Sequence, residues 1–332
     1  MDFFDLPIER QIELARKVAA EALRRYDFPP TSELRLLKSG ENVVFEAVHA
    51  ESGEHGVLRV HRQGYQTERS IISEFQWMKA LSDFGVKTPG VILSRDGALV
   101  VAVEIDDLPE ALLCDMLEWI AGAPPPENDL PASFRMLGEL NAKCHAQVGQ
   151  WTLPPGFERQ AWDEAALLDG KHPLIAPAWE HWALSAKQRA LVLDCREALR
   201  ERLRQWGKGP DRYGLIHSDL TPVNLIVGDN GVRLIDFDDC GFGWYLYDPA
   251  SALLHYHGQD FYPDLLDAWA AGYRSVRPLS GDELEEMRSF LLLRCFYGLG
   301  WLQTHRNSEA AQIYTEPLIF LTGVVGEAFL NG

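Results

Sequence analysis

The chain has 332 residues, 46% of them hydrophobic and 24% charged, enough to bury a large core and, by length, to form about two domains. Its formal net charge of −18 argues against nonspecific binding to nucleic acid, whose phosphates would be repelled, and suits either a cationic substrate or a dispersed solubilising surface. The five cysteines, Cys114, Cys144, Cys195, Cys240 and Cys295, are scattered and never in a C-x-x-C pair, so neither a disulfide framework nor a zinc site is indicated and a reducing cytoplasm fits best.

The amino terminus places Asp2 and Asp5 among its first apolar residues, lacks a basic leader, and no later segment reaches the roughly 20 apolar residues of a membrane span. Over residues 9–23, Ile12, Ala15, Ala19, Ala22 and Leu23 recur at helical spacing with charges opposite, which predicts a packing helix. Residues 34–37 and 43–48, apolar and separated by Ser39-Gly40-Glu41-Asn42, predict a hairpin. A strand at 57–61, a helix at 67–81 carrying Glu68 and Glu74, and strands at 99–105 and 112–120 complete a five-stranded sheet with one helix. Pro124-Pro125-Pro126 then gives stiff turn chemistry suited to a linker. Beyond it, 133–148 predicts a buried helix in which His145 is a packed histidine, 189–206 a second helix, and the remainder is helical, with apolar runs at 290–297 and 318–325.

Chemistry concentrates in His217-Ser218-Asp219-Leu220-Thr221-Pro222-Val223-Asn224, followed twelve residues later by Asp236-Phe237-Asp238. Phosphoryl transfer needs a carboxylate to orient the attacking hydroxyl and oxygen ligands to hold magnesium on a nucleoside triphosphate. Asp219 can present the first and Asn224 the second from one loop. Two short apolar strands, 225–227 and 232–235, around Gly228-Asp229-Asn230-Gly231 form a predicted hairpin that brings Asp236 back as the other metal ligand. His217 reads as a buttress of the loop.

These residues match the catalytic loop and D-F-G elements of protein kinases. With Ser218 in place of the kinase arginine, Thr221 in place of lysine and Asp238 in place of the D-F-G glycine, the segment more closely resembles the aminoglycoside phosphotransferase, choline kinase and homoserine kinase superfamily. Asp238-Asp239-Cys240-Gly241-Phe242-Gly243 and Tyr247-Asp248-Pro249-Ala250 look like its post-metal loop, in which Asp248 would brace the site. The resemblance implies an α+β, two-lobed protein-kinase-like fold: an N-lobe at 1–118 with a five-stranded antiparallel sheet plus helices, a hinge around 118–122, and a mainly helical C-lobe at 119–332. It further implies ATP or another nucleoside triphosphate with Mg2+. The turn at Gly40 and Asn42 would cover the phosphates, Arg59, where kinases carry lysine, would grip them with Glu74 as partner, and the carbonyl of Glu118 and amide of Ile120 would bind adenine.

The expected reaction is transfer of the γ-phosphate to a hydroxyl of a small molecule such as an aminoglycoside, an amino alcohol or a homoserine-like compound. A stress-response Ser/Thr protein kinase and a non-catalytic nucleotide-binding module are the alternatives. The aromatic cluster Trp244, Tyr245, Tyr247, His255, Tyr256, His257, Phe261, Tyr262 and Trp269 reads either as a wall for an amine, through cation–π attraction, or as core packing.

Overall fold

The α+β architecture starts from a helix that carries small residues on one face. The computed structural model describes residues 6–29 and 32–332; Asp2 and Asp5 lie outside them. Helix α1 (Ile8–Leu23) buries Leu14, Ala15, Val18, Ala19, Ala22 and Leu23. Its alanines let the helix approach the sheet closely, and its larger apolar side chains contribute roughly 1.5–3 kcal/mol each on burial. The sheet comprises β1 (Glu33–Ser39), β2 (Val43–Val48), β3 (His55–Val60), β4 (Val101–Val103) and β5 (Leu112–Glu118), in the order β1-β2-β3-β5-β4. Every neighbouring pair is antiparallel. Phe45, Ala47, Leu58, Val60, Cys114 and Met116 are among the sheet residues in the core with α1.

Helix α2 (Glu68–Phe84) begins at Thr67, whose hydroxyl accepts the Ser70 amide at 3.0 Å, and stops at Gly85, where φ is 100°. It buries Ile71, Phe75, Trp77, Met78 and Leu81 and, among them, the carboxylate of Glu74.

By internal contacts the chain forms two compact units. Residues through Ala123 belong to the first, but so do Leu153–Glu158 and Ile226–Asp238. Val227 pairs with Ala123, the Leu234 amide donates to the Lys87 carbonyl at 2.9 Å, and Phe237 meets Trp77 edge-on at 5.6 Å. These contacts tie β8 (Leu225–Gly228) and β9 (Gly231–Leu234) to the first unit beyond Leu225.

The second unit is mainly helical, with a three-stranded sheet that the sequence did not suggest. Its strands are only two to four residues long: β6 (Ala161–Trp162), β7 (Tyr213–Ile216) and β10 (Gly241–Trp244), in the order β6-β10-β7. Helix α3 (Leu130–Val148) packs against α7 (Tyr262–Arg274) through glycines, for a Cβ on Gly138 would overlap the Trp269 carbonyl and one on Gly272 the Arg135 carbonyl. Helix α5 (Ala186–Trp206) and helix α8 (Gly281–Thr304) each open with a reciprocal capping box, Ser185 with Gln188 and Ser280 with Glu283. The five cysteines are all buried thiols.

Among the described residues, helix α9 (Glu309–Asn331) is long and apolar enough to cross a membrane, with an 18-residue window of mean hydropathy 1.3. Ala311, Thr315, Ile319, Thr322, Val325 and Gly326 are its buried residues, and it packs on α5 and α8. Its apolar character thus lies partly in a packed face, while Ile313, Tyr314, Phe320 and Val324 remain exposed.

Candidate active site

In the second unit, β7 delivers the chain into a loop that an L-residue adopts only under constraint. Ser218 has φ of 67°, one of two described non-glycine residues with positive φ; the other is Asp236 at 64°. Such backbone persists where the surroundings over-determine it. Here Asp248, in the first turn of α6 (Tyr247–Leu253), accepts the Ser218 amide on Oδ1 at 2.6 Å and the His217 amide on Oδ2 at 3.3 Å. The Ser218 hydroxyl donates to the Asp239 carbonyl at 2.8 Å, and the Ser251 hydroxyl to the Ser218 carbonyl at 2.5 Å. Asp248 is fully buried and also accepts the Asn141 amide and the His145 Nε2, each at 3.2 Å. Burial lowers the His145 pKa below 6.5 despite the opposing pull of Asp248, so the ring stays neutral, stacked on Tyr245 at 4.2 Å.

The loop presents Asp219 with both carboxylate oxygens engaged. Asn224, at the end of a short 3-10 turn, donates from Nδ2 to the Asp219 carbonyl at 2.7 Å and to its Oδ2 at 3.1 Å. Arg294 of α8 donates to Oδ1 at 3.1 Å and to the Tyr247 hydroxyl at 3.2 Å, with its guanidinium 4.1 Å from the Tyr297 ring centre. Burial disfavours the Arg294 charge, but Tyr247, Tyr297 and Asp219 outweigh it and raise its pKa. Sequence reasoning missed Arg294; the available signal was a cation interrupting the apolar run at 290–297, since buried arginine requires a partner.

A cavity of about 660 Å³ adjoins this loop within the second unit, lined by Pro124, Pro125, Pro126, Glu127, Leu130, Ser133, Thr221, Pro222, Val223, Ala252, His255 and Tyr256. Of the aromatic cluster, Trp244, Tyr245, Tyr247 and Trp269 are core residues, whereas His255 and Tyr256 line this cavity.

The first unit holds the other candidates. Arg59 on β3 donates from Nη1 to Glu74 at 2.8 Å, and through Nε and Nη2 to Asp115 at 2.9 Å each. Burial opposes the Arg59 charge, yet the two carboxylates raise its pKa well above the ordinary arginine range. Burial would likewise raise Asp115, but Arg59 and His61 win and lower it. Asp115 is a second residue that sequence reasoning missed; a lone acid inside the apolar strand 112–118 was its signal, and strand register sets it opposite Arg59.

Around the β1–β2 turn, the Gly40 amide donates to the Asn42 carbonyl at 3.0 Å, while Asn42 Oδ1 accepts the Arg62 amide at 3.4 Å. Lys38, just before this turn, places Nζ 2.8 Å from Asp236 Oδ2. Glu118 is fastened twice to Gly90: its amide donates to the Gly90 carbonyl at 2.8 Å, and its Oε2 accepts the Gly90 amide at 3.1 Å. Ile120 lines a cavity of about 250 Å³ together with Gly228–Gly231 of the hairpin turn. Glu68 is exposed, on the outer face of α2.

The family model described as "Phosphotransferase enzyme family" matches residues 33–281. Amicoumacin kinase of Bacillus subtilis (strain 168) is 27% identical over 234 residues, 70% of this chain; the match spans 65% of that protein, just under two thirds of its length. Among solved structures, a microcompartment-associated aminopropanol kinase is 33% identical with a TM-score of 0.86, covering 95% of this chain and 98% of its own. An amicoumacin kinase in complex with AMP-PNP, Ca2+ and Ami shares the fold at 24% identity and a TM-score of 0.77, covering 95% and 93%.

Proposed function

Because the chain belongs to the phosphotransferase enzyme family, we propose that it transfers the γ-phosphate of ATP, or of another nucleoside triphosphate, to the hydroxyl of a small amino alcohol. The observation that carries this reading is the Asp219 carboxylate, fixed by Asn224 on one oxygen and Arg294 on the other at the tip of a loop braced by Asp248. A group so held is placed to orient an alcohol, which is the main protein contribution to this reaction. In this reading the acceptor oxygen forms the new bond to phosphorus as its proton passes to Asp219. The bond to the β–γ bridging oxygen breaks, and the nucleoside diphosphate leaves.

Asn224 and Asp236 would hold Mg2+, which supplies charge neutralisation on the phosphates. Their oxygen donors suit a hard cation, and Asp236 already pairs with the Lys38 ammonium. Nδ2 of Asn224 donates to Asp219, so its Oδ1 is the atom that would face the cation.

Arg59, held by Glu74 and Asp115, would be a fixed part of the phosphate clamp. The backbone amides around Gly40 and Asn42 would cover the phosphates, and the Glu118 carbonyl and Ile120 amide would meet adenine. The aminopropanol kinase likeness supports an amino alcohol, and Glu127 on the cavity wall suits its ammonium. We place the reaction in the cytoplasm, with no nucleic-acid or membrane partner.

A thermal-shift screen coupled to nucleoside-diphosphate release, run over aminopropanol, choline, homoserine, hydroxylysine and aminoglycosides, tests the reading. A cognate acceptor raises the melting temperature and accelerates nucleotide turnover, since a ligand at 100 times its Kd adds about 2.7 kcal/mol. Label from ATP appearing only in protein bands of a cell extract, with no small alcohol stimulating turnover, would overturn it in favour of a protein kinase.

A further inference from the structure

Two cations of the first unit, Arg59 and Lys38, differ in kind. Arg59 has only 6% of its side chain exposed and is pinned by two carboxylates, both fully buried, so its single positive charge is outnumbered and its fork is not free to move. Lys38 is the opposite: its side chain is 62% exposed, on a flexible four-carbon stem, and its partner Asp236 is 32% exposed. An exposed pair of this type is worth no more than about 1 kcal/mol, so breaking it costs little. Lys38 also lies two residues before Gly40, at the entrance to the turn assigned to the phosphates.

We propose that Lys38 is a mobile phosphate-binding residue whose ammonium, paired with the Asp236 carboxylate at 2.8 Å, exchanges there with the nucleotide's divalent cation and then pairs with a phosphate oxygen. Divalent cation and ammonium compete for one carboxylate, so the lysine lowers metal affinity before nucleotide arrives and raises nucleotide affinity afterwards. The inference rests on the assignment of Asp236 as a metal ligand made above.

The full chain is titrated with Mn2+ alone, followed by electron paramagnetic resonance, and separately with a non-hydrolysable ATP analogue plus Mg2+ by calorimetry. Lys38→Met is expected to tighten Mn2+ binding several-fold and to weaken the analogue about ten-fold. Lys38→Arg, which keeps the charge, stays near wild type in both. Unchanged affinities in Lys38→Met, alongside loss of Mn2+ binding in Asp236→Ala, would overturn the lysine exchange while leaving the metal assignment standing. Mn2+ binding indifferent to both substitutions would overturn the two together. Melting curves of each variant report that the exposed lysine is dispensable for folding.

Discussion

Asp248 illustrates how one buried carboxylate can organise a reactive loop. Two backbone amides, the Asn141 amide and the neutral His145 ring converge on it, and the strained Ser218 backbone is held as a result. His145 makes this arrangement sensitive to acid. Its folded pKa is lowered, by burial first and by Arg277 to a smaller degree, against the opposing effect of Asp248. The unfolded chain therefore takes up a proton below about pH 6.5 that the folded chain refuses, and stability falls as pH drops through this range. Urea unfolding at pH 7.5 and 5.5 should show this loss in the wild type, and His145→Gln should flatten the slope by up to about 1.4 kcal/mol per pH unit. Equal slopes would show that the ring titrates alike folded and unfolded.

At the level of elements, regular periodicity was legible and close packing was not. The helix expected over 9–23 is Ile8–Leu23, and the hairpin strands at 34–37 and 43–48 are Glu33–Ser39 and Val43–Val48, because alternation and 3.6-residue spacing report directly which face is buried. The strand expected over 99–105 shrinks to Val101–Val103, and β6, β7 and β10 were invisible, since two to four residues carry no period. That Asp219 and Asn224 meet on one loop could be read from their spacing; the Arg294 and Lys38 pairs could not, because their carboxylate partners lie 75 and 198 residues away.

The glycine contact between α3 and α7 was equally hidden, for only the folded geometry shows that Gly138 and Gly272 face backbone. Gly272→Ala should lower stability by about 3 kcal/mol through overpacking. Gly323→Ala in α9, where an added Cβ meets nothing within 4 Å, should be neutral or stabilising by about 0.5–1 kcal/mol. Matching thermal melts for the two variants would contradict the packing account.

For the whole molecule, family membership and fold specify the donor side of a phosphoryl transfer more closely than the acceptor side, since function resides in the site rather than the scaffold. The acceptor reading depends on the cavity beside the Asp219 loop and on Glu127 in its wall. The central claim is that Asp219 acts on an alcohol. Transfer of labelled γ-phosphate from ATP to aminopropanol or another accepted amino alcohol, compared between wild type and Asp219→Asn, measures it directly. Loss of Asp219 general-base catalysis alone should cost 10²–10⁴-fold in kcat, and calorimetry should find nucleotide affinity nearly unchanged. Wild-type turnover in the Asp219→Asn variant would contradict the account.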